Sequence, residues 1–496
     1  MRGDPVRFVD FRGGLNTKAA PYLVAENECR DCQNVVSTVR GSIKKRNGNT
    51  TFCSSFTGTP PGITSLYGLN VGATVLVAAG GTKLYSISTG GVSTDITGAA
   101  SLTSGLRWEF ISAPTSGGQG PLYGVNGTDT PKYWSGAGNI ADWTASVGSV
   151  PNGKYITYTA NRVWIAGTVS NPSRLYFSDL GDPRSWTATN VVDFDPNDGQ
   201  SITAIARMGA YLLVFKQTKC FIVYDLNTGA NRALSTGVGC VASRSVAEGP
   251  EGIYFLSADQ GVFVATPSKL TNISDNVLPT LASLAPALRT NAAGVFYNNH
   301  YYLSCATSSG SRNNIVLDYD STTNSWWKHN NTASQFALWR PTAAGAVELY
   351  AAQDIATPIV DKCYVDSIFQ DNGTNFLTYW TGPWLAFKQP YRRKRLRQIH
   401  VDGHGSIDTY LGTDFLTSLS LVATDIFSGS GTSTGTTFGD STIFGGSGLF
   451  GDAFPQGQDR IYSLGVARAF SVQFQSISAT DIEIDAYTTF ITLRAN

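Results

Sequence analysis

The feature that most constrains this chain is a recurrence. From about residue 63 to 366 one pattern returns every roughly 40 to 50 residues: an apolar strand, a polar or Gly turn, a second apolar strand, another turn, and a strand ending in an aromatic. The first copy is "ITSLYGLNVGATVLVAAGGTKLYSIS" (Ile63 to Ser88), and the second, "RWEFISAPTSGGQGPLYGVNGTDTPKYW" (Arg107 to Trp134), is looser. Further copies begin at Tyr155, Ser201, Ser245, Gly294 and Phe336. A unit of this size has an apolar face that it cannot bury alone. Stacking the units radially buries each face on the next and leaves only short sheet edges. The period therefore predicts an all-β chain whose residues 56–369 form a β-propeller of six or seven four-stranded blades, the loose second copy leaving both counts open. Segments between copies, such as "STDITGAASLT" and "NSWWKHNNTAS", would supply each fourth, outer strand. A run of β-sandwiches, the competing arrangement, calls for turn signals every ~8–12 residues without a blade-length period.

Composition points the same way. Only 15% of residues are charged, and the acids are mostly Asp, which favours turns where Glu favours helices. Aromatic residues, at 11%, suit pleated, half-buried surfaces. A length of 496 residues suggests two or three domains, and a formal net charge of zero argues against broad, nonspecific nucleic-acid binding. The opening "MRGDPVRFVDFRGG" has no apolar signal core, and no run approaches a membrane span, so no membrane insertion is expected. Seven Cys, an odd number spread thinly, do not resemble a secreted disulfide framework and fit synthesis in a reducing cytoplasm.

The repeats are flanked on both sides. Residues 1–55 carry one short helical signal, "AENECRDCQNV", without a long apolar face. Residues 370–496 return to strands. Phe470, Val472 and Phe474 alternate onto one face, as do Ile482, Ile484 and Ala486, which predicts a small C-terminal β-sandwich-like domain. A Gly/Ser/Thr tract at 427–457 interrupts it; such composition forms no core of its own, and its Phe438, Phe444, Phe450 and Phe454 are docking candidates.

Few motifs carry chemistry. Cys29 and Cys32 have zinc-knuckle spacing, but a structural site needs four ligands and the nearest further thiol is Cys53. His400 and His404 lie four apart beside Gly403 and Gly405, in what reads as a hairpin turn. "DFDPNDG" (Asp193 to Gly199) fails the EF-hand pattern, with Asp198 at the required Gly and Ala204 where a closing Glu belongs. "RGD" at Arg2 to Asp4 is too short to carry meaning, and neither a Gly-x-Ser-x-Gly elbow nor a phosphate loop occurs, so no catalytic residue, metal or cofactor is assigned. One basic run stands out: Lys388, Arg392, Arg393, Lys394, Arg395 and Arg397, with no acid among them. Clustered Arg suits phosphates or an acidic neighbour, and equally a solvated strand face.

Read whole, the N-terminal stretch "FVDFRGGLNTKAAPYLVAENECRDCQNVVSTVRGSIKKRNGNTTF" resembles the opening of the tail nozzle or hub proteins of short-tailed bacteriophages, also described as tail tubular or DNA-stabilising proteins. The matching residues are a turn at Gly13, Gly14, Leu15 and Asn16, a Pro21 to Leu23 segment, an acidic stretch from Glu26 to Val35, and Gly41, Lys44, Lys45, Arg46 and Gly48. The later "RVWIAGTVSNPSRLYFSDLGDPRSW" is similar to the same family. The resemblance implies a structural virion protein of the phage tail, without catalysis, in a homo-oligomeric, sixfold ring. That ring would continue the channel for double-stranded DNA below the portal and adaptor proteins and contact tail fibre or needle proteins. It makes Gly13 to Asn16 and Lys44 to Arg46 candidates for partner contact, and the basic run a candidate for facing DNA or an acidic neighbour. Two rivals differ in class: a receptor-binding minor tail protein, and a propeller hydrolase or lectin for a glycan. The latter needs a carboxylate or aromatic cluster at one end of the propeller axis.

Overall fold

A computed structural model of the chain describes residues 4–114, 118–416, 418–427 and 457–493. Two compact units emerge: one holds Asn49–Thr322 and Asn330–Val365, the other Met1–Gly48, Thr323–His329 and Asp366–Asn496. Both are nearly all β.

Seven four-stranded antiparallel sheets follow one another along the repeats, consistent with a β-propeller. Their innermost strands are Ser65–Leu69, Glu109–Ser112, Tyr155–Thr159, Ile202–Met208, Ala247–Gly249, Ala293–Tyr297 and Ala333–Trp339. Each copy's apolar face is spent on its neighbour, as the period requires. Trp108 and Leu122 of the second sheet's segment pack with Val77 and Leu84 of the first. Tyr254 of the fifth stacks on Tyr301 of the sixth, with ring centroids 5.2 Å apart. The last sheet returns to the first: Trp339, Tyr350 and Val360 share a core with Leu66, Leu76 and Tyr85. Trp339 Nε1 donates to the Leu69 carbonyl at 3.2 Å and Ser334 Oγ to the Ile63 carbonyl at 2.6 Å. Burial of each such large side chain stabilises by ~1.5–3 kcal/mol, so every sheet-to-sheet boundary carries its own driving force.

The first six sheets take their outer strand from the segment that follows, Ser93–Asp95 and Ser325–His329 included. The seventh does not. Its fourth strand is Gly48–Cys53, contributed from before the repeats, so residues expected in a separate N-terminal segment belong to this sheet.

In the other unit, two sheets face each other. A six-stranded sheet is built around Lys394–His404 and Glu483–Leu493, with Gly457–Ala467, Ile43–Lys45, Val35–Ser37 and Asp4–Phe8. A five-stranded sheet orders Ser420–Ile426, Ile407–Thr413, Phe470–Ser476, Thr378–Thr381 and Asp31–Gln33. Trp380 and Phe474 of the second sheet meet Tyr487 of the first at centroid distances of 6.2 and 5.5 Å, and Phe11 closes on Trp380 at 5.1 Å. The alternating Phe470, Val472 and Phe474, and Ile482, Ile484 and Ala486, are all buried.

The N-terminal residues thus enter both sheets, and the expectation of a short helix there is corrected. Glu28–Cys29 and Asp31–Gln33 are strands, followed by Asn34 at φ 58°. Tyr379, Trp380 and Thr381 pair with Gln33, Cys32 and Asp31. Two buried thiols and a ready strand partner outweigh a weak local helix preference.

Candidate functional site

The innermost strands of the seven sheets enclose a cavity of about 610 Å³. Alternate residues of these strands face it, because successive side chains of a strand point to opposite sides. On Ile202–Met208, for example, Ile205 and Arg207 line the cavity while Ala204 and Met208 enter the core between sheets. Tyr67, Phe110 and Phe296 form aromatic wall, with Leu338 beside them.

One end is barred by Arg244. It sits in the short turn Ser243–Ser245 ahead of the fifth sheet, and its Nη1 donates to the Thr64 carbonyl. Its Nη2 donates to Ser65 Oγ at 2.8 Å and to the Trp108 carbonyl at 3.3 Å. Thr64 and Trp108 immediately precede the inner strands of the first and second sheets, neither of which adjoins the fifth in the order of sheets. The guanidinium therefore reaches across the interior and ties three sheets together. Burial disfavours its charge, as does nearby Arg107, while Glu109 favours it.

Glu109 opens the inner strand of the second sheet beside this tie. Its Oε2 accepts the Ile156 N–H at 3.4 Å, and Ser243 hydrogen-bonds its carboxyl. Burial raises the carboxyl to about 7, against the pull of Arg244. Gln335 Oε1, on the cavity lining, is buried without a hydrogen-bond partner among the described residues. At the far end Arg207 and Glu248 pair at 3.2 Å, both more than a third exposed, an arrangement contributing at most ~1 kcal/mol. The result is a blind cup with an aromatic wall, a polar floor of mixed charge and an ion-paired rim.

None of these groups was legible as a site in the sequence. The available signal was "RWEF": one of the chain's rare Glu residues, two positions from an Arg, opening an inner strand in the most irregular copy.

The residues that were singled out lie elsewhere, in the other unit. Gly13, Gly14, Leu15 and Asn16 are engaged internally. Gly13 donates its N–H to the Asn27 carbonyl, and Gly14, at φ 68°, lies where a Cβ would come 2.7 Å from the Trp326 carbonyl. Leu15 is buried, and Asn16 caps a turn, its Oδ1 accepting the Lys18 and Ala19 N–H groups. Lys45 and Arg46 are both buried. Lys45 Nζ donates to the Ser478 carbonyl at 2.5 Å and lies 4.2 Å from the Phe376 ring; burial, then Arg46, lowers it to about 8. Arg46 makes a two-pronged pair with Asp371 at 3.0 and 2.5 Å, donates to Asn34 Oδ1 at 2.9 Å and stacks on Phe376. Lys44 is half-buried in a strand opposite Glu483.

The basic run divides. Lys394 is buried, donating to the carbonyls of Gln389, Arg392 and Arg468, and Arg397 Nε donates to Thr492 Oγ1. Lys388, Arg392, Arg393, Arg395 and Arg397 are all exposed. Phe438, Phe444, Phe450 and Phe454 lie outside the described residues.

The remaining motifs are structural. Cys29 and Cys32 are buried free thiols, and no metal-binding group of residues occurs among the described residues. Asp193, Asp195 and Asp198 pair with Arg174, Lys219 and Lys216 at 2.7, 2.8 and 2.7 Å. His404 ends a strand just ahead of Gly405 at φ 91°. No helix is long and apolar enough to cross a membrane, among the described residues.

No protein-family model matches the chain, and no curated protein does. Among solved structures it is similar to a streptogramin B lyase at 13% identity, over 64% of this chain and 97% of that one, with a TM-score of 0.41. Virginiamycin B lyase from Staphylococcus aureus gives 13%, 62% and 97%, with a TM-score of 0.42. The extracellular domain of a two-component system protein from B. thetaiotaomicron gives 11%, 79% and 57%, with a TM-score of 0.45. None of the three is a phage tail protein. The expectation that the chain has no catalysis is corrected, since an enzyme, virginiamycin B lyase, stands among the structures similar to it; at this distance the likeness assigns no residue a role.

Proposed function

We propose that the chain is a structural subunit of a phage tail, a seven-bladed propeller with an appended sandwich, assembled as a sixfold nozzle or hub ring in the virion. What carries this reading is the N-terminal resemblance together with the place its residues occupy. The stretch Phe8 to Phe52 supplies strands to both sandwich sheets and the last strand of the seventh sheet. Its matching Gly and basic residues are those whose backbone approach or buried pairing that threading demands.

Arg244 bars the interior of the chain's own sheets, so a DNA channel belongs between copies in the ring. Lys388, Arg392, Arg393, Arg395 and Arg397 are the exposed cations of the basic run available to face DNA or an acidic neighbour, such as the adaptor or a fibre protein. A handful of cations per copy suits a conduit, whose phosphate contacts must stay few enough to let DNA slide. Native mass measurement of the purified chain, followed by electron microscopy of the assembly, tests the reading. A ring of six with a central lumen supports it; a monomer at every concentration and in the presence of adaptor overturns it.

One observation favours a receptor-binding minor tail protein as a second reading. The interior cup has the aromatic and carboxylate lining that glycan recognition requires.

A further inference from the structure

We propose that the blind cup inside the seven sheets binds the terminal one or two sugar units of a glycan. The walls and the floor argue for this independently. Tyr67, Phe110 and Phe296 are half-buried aromatic side chains lining one cavity, the first two with ring centroids 6.3 Å apart. Flat apolar faces of this kind match the C–H face of a pyranose ring and exclude water from it. The floor offers both kinds of hydrogen-bonding partner within one cavity. Glu109 and the unpartnered Gln335 Oε1 accept, while Ser243 carries a hydroxyl that both donates and accepts.

Charge selects among ligand classes. A small anion entering the floor meets Glu109, and the nearest guanidinium, Arg244, already spends its Nη1 and Nη2 on Thr64, Ser65 and Trp108. An organic cation meets the field of Arg244 and of Arg107, which lies close enough to disfavour the Arg244 charge. A neutral polyol pairs with acceptors and donors alike and brings no charge to compensate. Because Arg244 closes the floor end, opposite the Arg207–Glu248 rim, a chain terminus enters the cup but a polymer does not thread it. The site therefore reads glycan ends. A volume of about 610 Å³ lies within the ordinary range of small-ligand pockets, ~300–1,000 Å³.

The test uses the full-length chain and saturation-transfer NMR. The probes are methyl glycosides of glucose, galactose, N-acetylglucosamine and rhamnose, with lactose and chitobiose as disaccharides; inorganic phosphate and tetramethylammonium serve as the anion and cation. Transfer to at least one sugar is expected, confined to the non-reducing residue of a disaccharide. Leu338→Trp fills the mouth from a position that is 41% exposed, so the fold tolerates it, and Gln335→Leu removes the unpartnered acceptor. Each should weaken sugar binding by about tenfold or more, with an unchanged thermal midpoint. The proposal is overturned if no sugar shows transfer, if transfer survives undiminished in both variants, or if phosphate or tetramethylammonium displaces the sugar. Ring assembly is read separately by native mass and should be unaffected by L338W, so this site and the tail reading fail by different results.

Discussion

Arg46 offers the sharpest test of whether the N-terminal motif serves the fold or a partner. Its side chain is 1% exposed, and it holds Asp371 at 3.0 and 2.5 Å, Asn34 Oδ1 at 2.9 Å and the Phe376 face at 4.0 Å. Arg46→Met keeps most of the stem's volume and removes the charge. Breaking a buried pair from one side costs ~3–5 kcal/mol, because the remaining charge is left uncompensated. Asp371 is 25% exposed and regains some hydration, which places the expected loss near the lower end, at about 3 kcal/mol. Urea unfolding followed by tryptophan fluorescence reads this directly, since Trp380 is buried in the same unit. Lys44→Ala, at a half-buried position, is the control and should stay within about 0.5 kcal/mol. An R46M chain within about 1 kcal/mol of the parent, yet unable to assemble, would refute the internal role and return Arg46 to partner contact.

Other outcomes follow from the same geometry. Gly48→Ala places a Cβ 2.0 Å from the Gln370 carbonyl oxygen, so the thermal midpoint should fall by several degrees in a calorimetric scan, and an unchanged midpoint would show that the backbone yields there. Replacing Arg392, Arg393 and Arg395 together by Ser should leave the midpoint unchanged, since all three are exposed, while reducing genome retention in assembled particles; retention at the parental level sinks the basic-face assignment. His300 is opposed by burial but held charged by Asp318 at 2.7 Å and by Asp320, which raises it to about 9. A raised pKa contributes stability that is fully present below about 6.5 and is lost as pH rises through about 9; His300→Gln should flatten that alkaline loss in urea midpoints measured across the range.

The repeats were legible because each blade-length copy carries its own turns and its own apolar face, so the sheets could be read locally. Phe470, Val472 and Phe474 likewise announced their strand by alternation alone. What could not be read was anything settled by distant pairing. Gly48–Cys53 has no local mark of belonging to a sheet whose other strands begin at Ala333. "ECRDC" carries a weak helix preference, but its two Cys are drawn into different strands, Cys29 beside Leu15 and Cys32 beside Trp380, the latter hundreds of residues away. The cup was invisible for the same reason. Glu109, Arg244 and Gln335 come from three sheets, and each is unremarkable until the sheets converge.

The strand Gly48–Cys53 also sets an order in time. It is synthesised before every repeat, yet the sheet it completes includes Val360–Val365, made some 300 residues later. At ~5–20 residues per second the ribosome takes about 15 to 60 s to cover that distance. Throughout that interval the early strand has no native partner, and the other six sheets can form without it. A chain interrupted before residue 360 therefore keeps a free strand edge at each side of the gap, where pairing with a foreign strand is open to it. Synthesis of Val360–Val365 is what permits closure of the last sheet, which makes the closed circle of sheets a physical record that the seventh repeat was fully made.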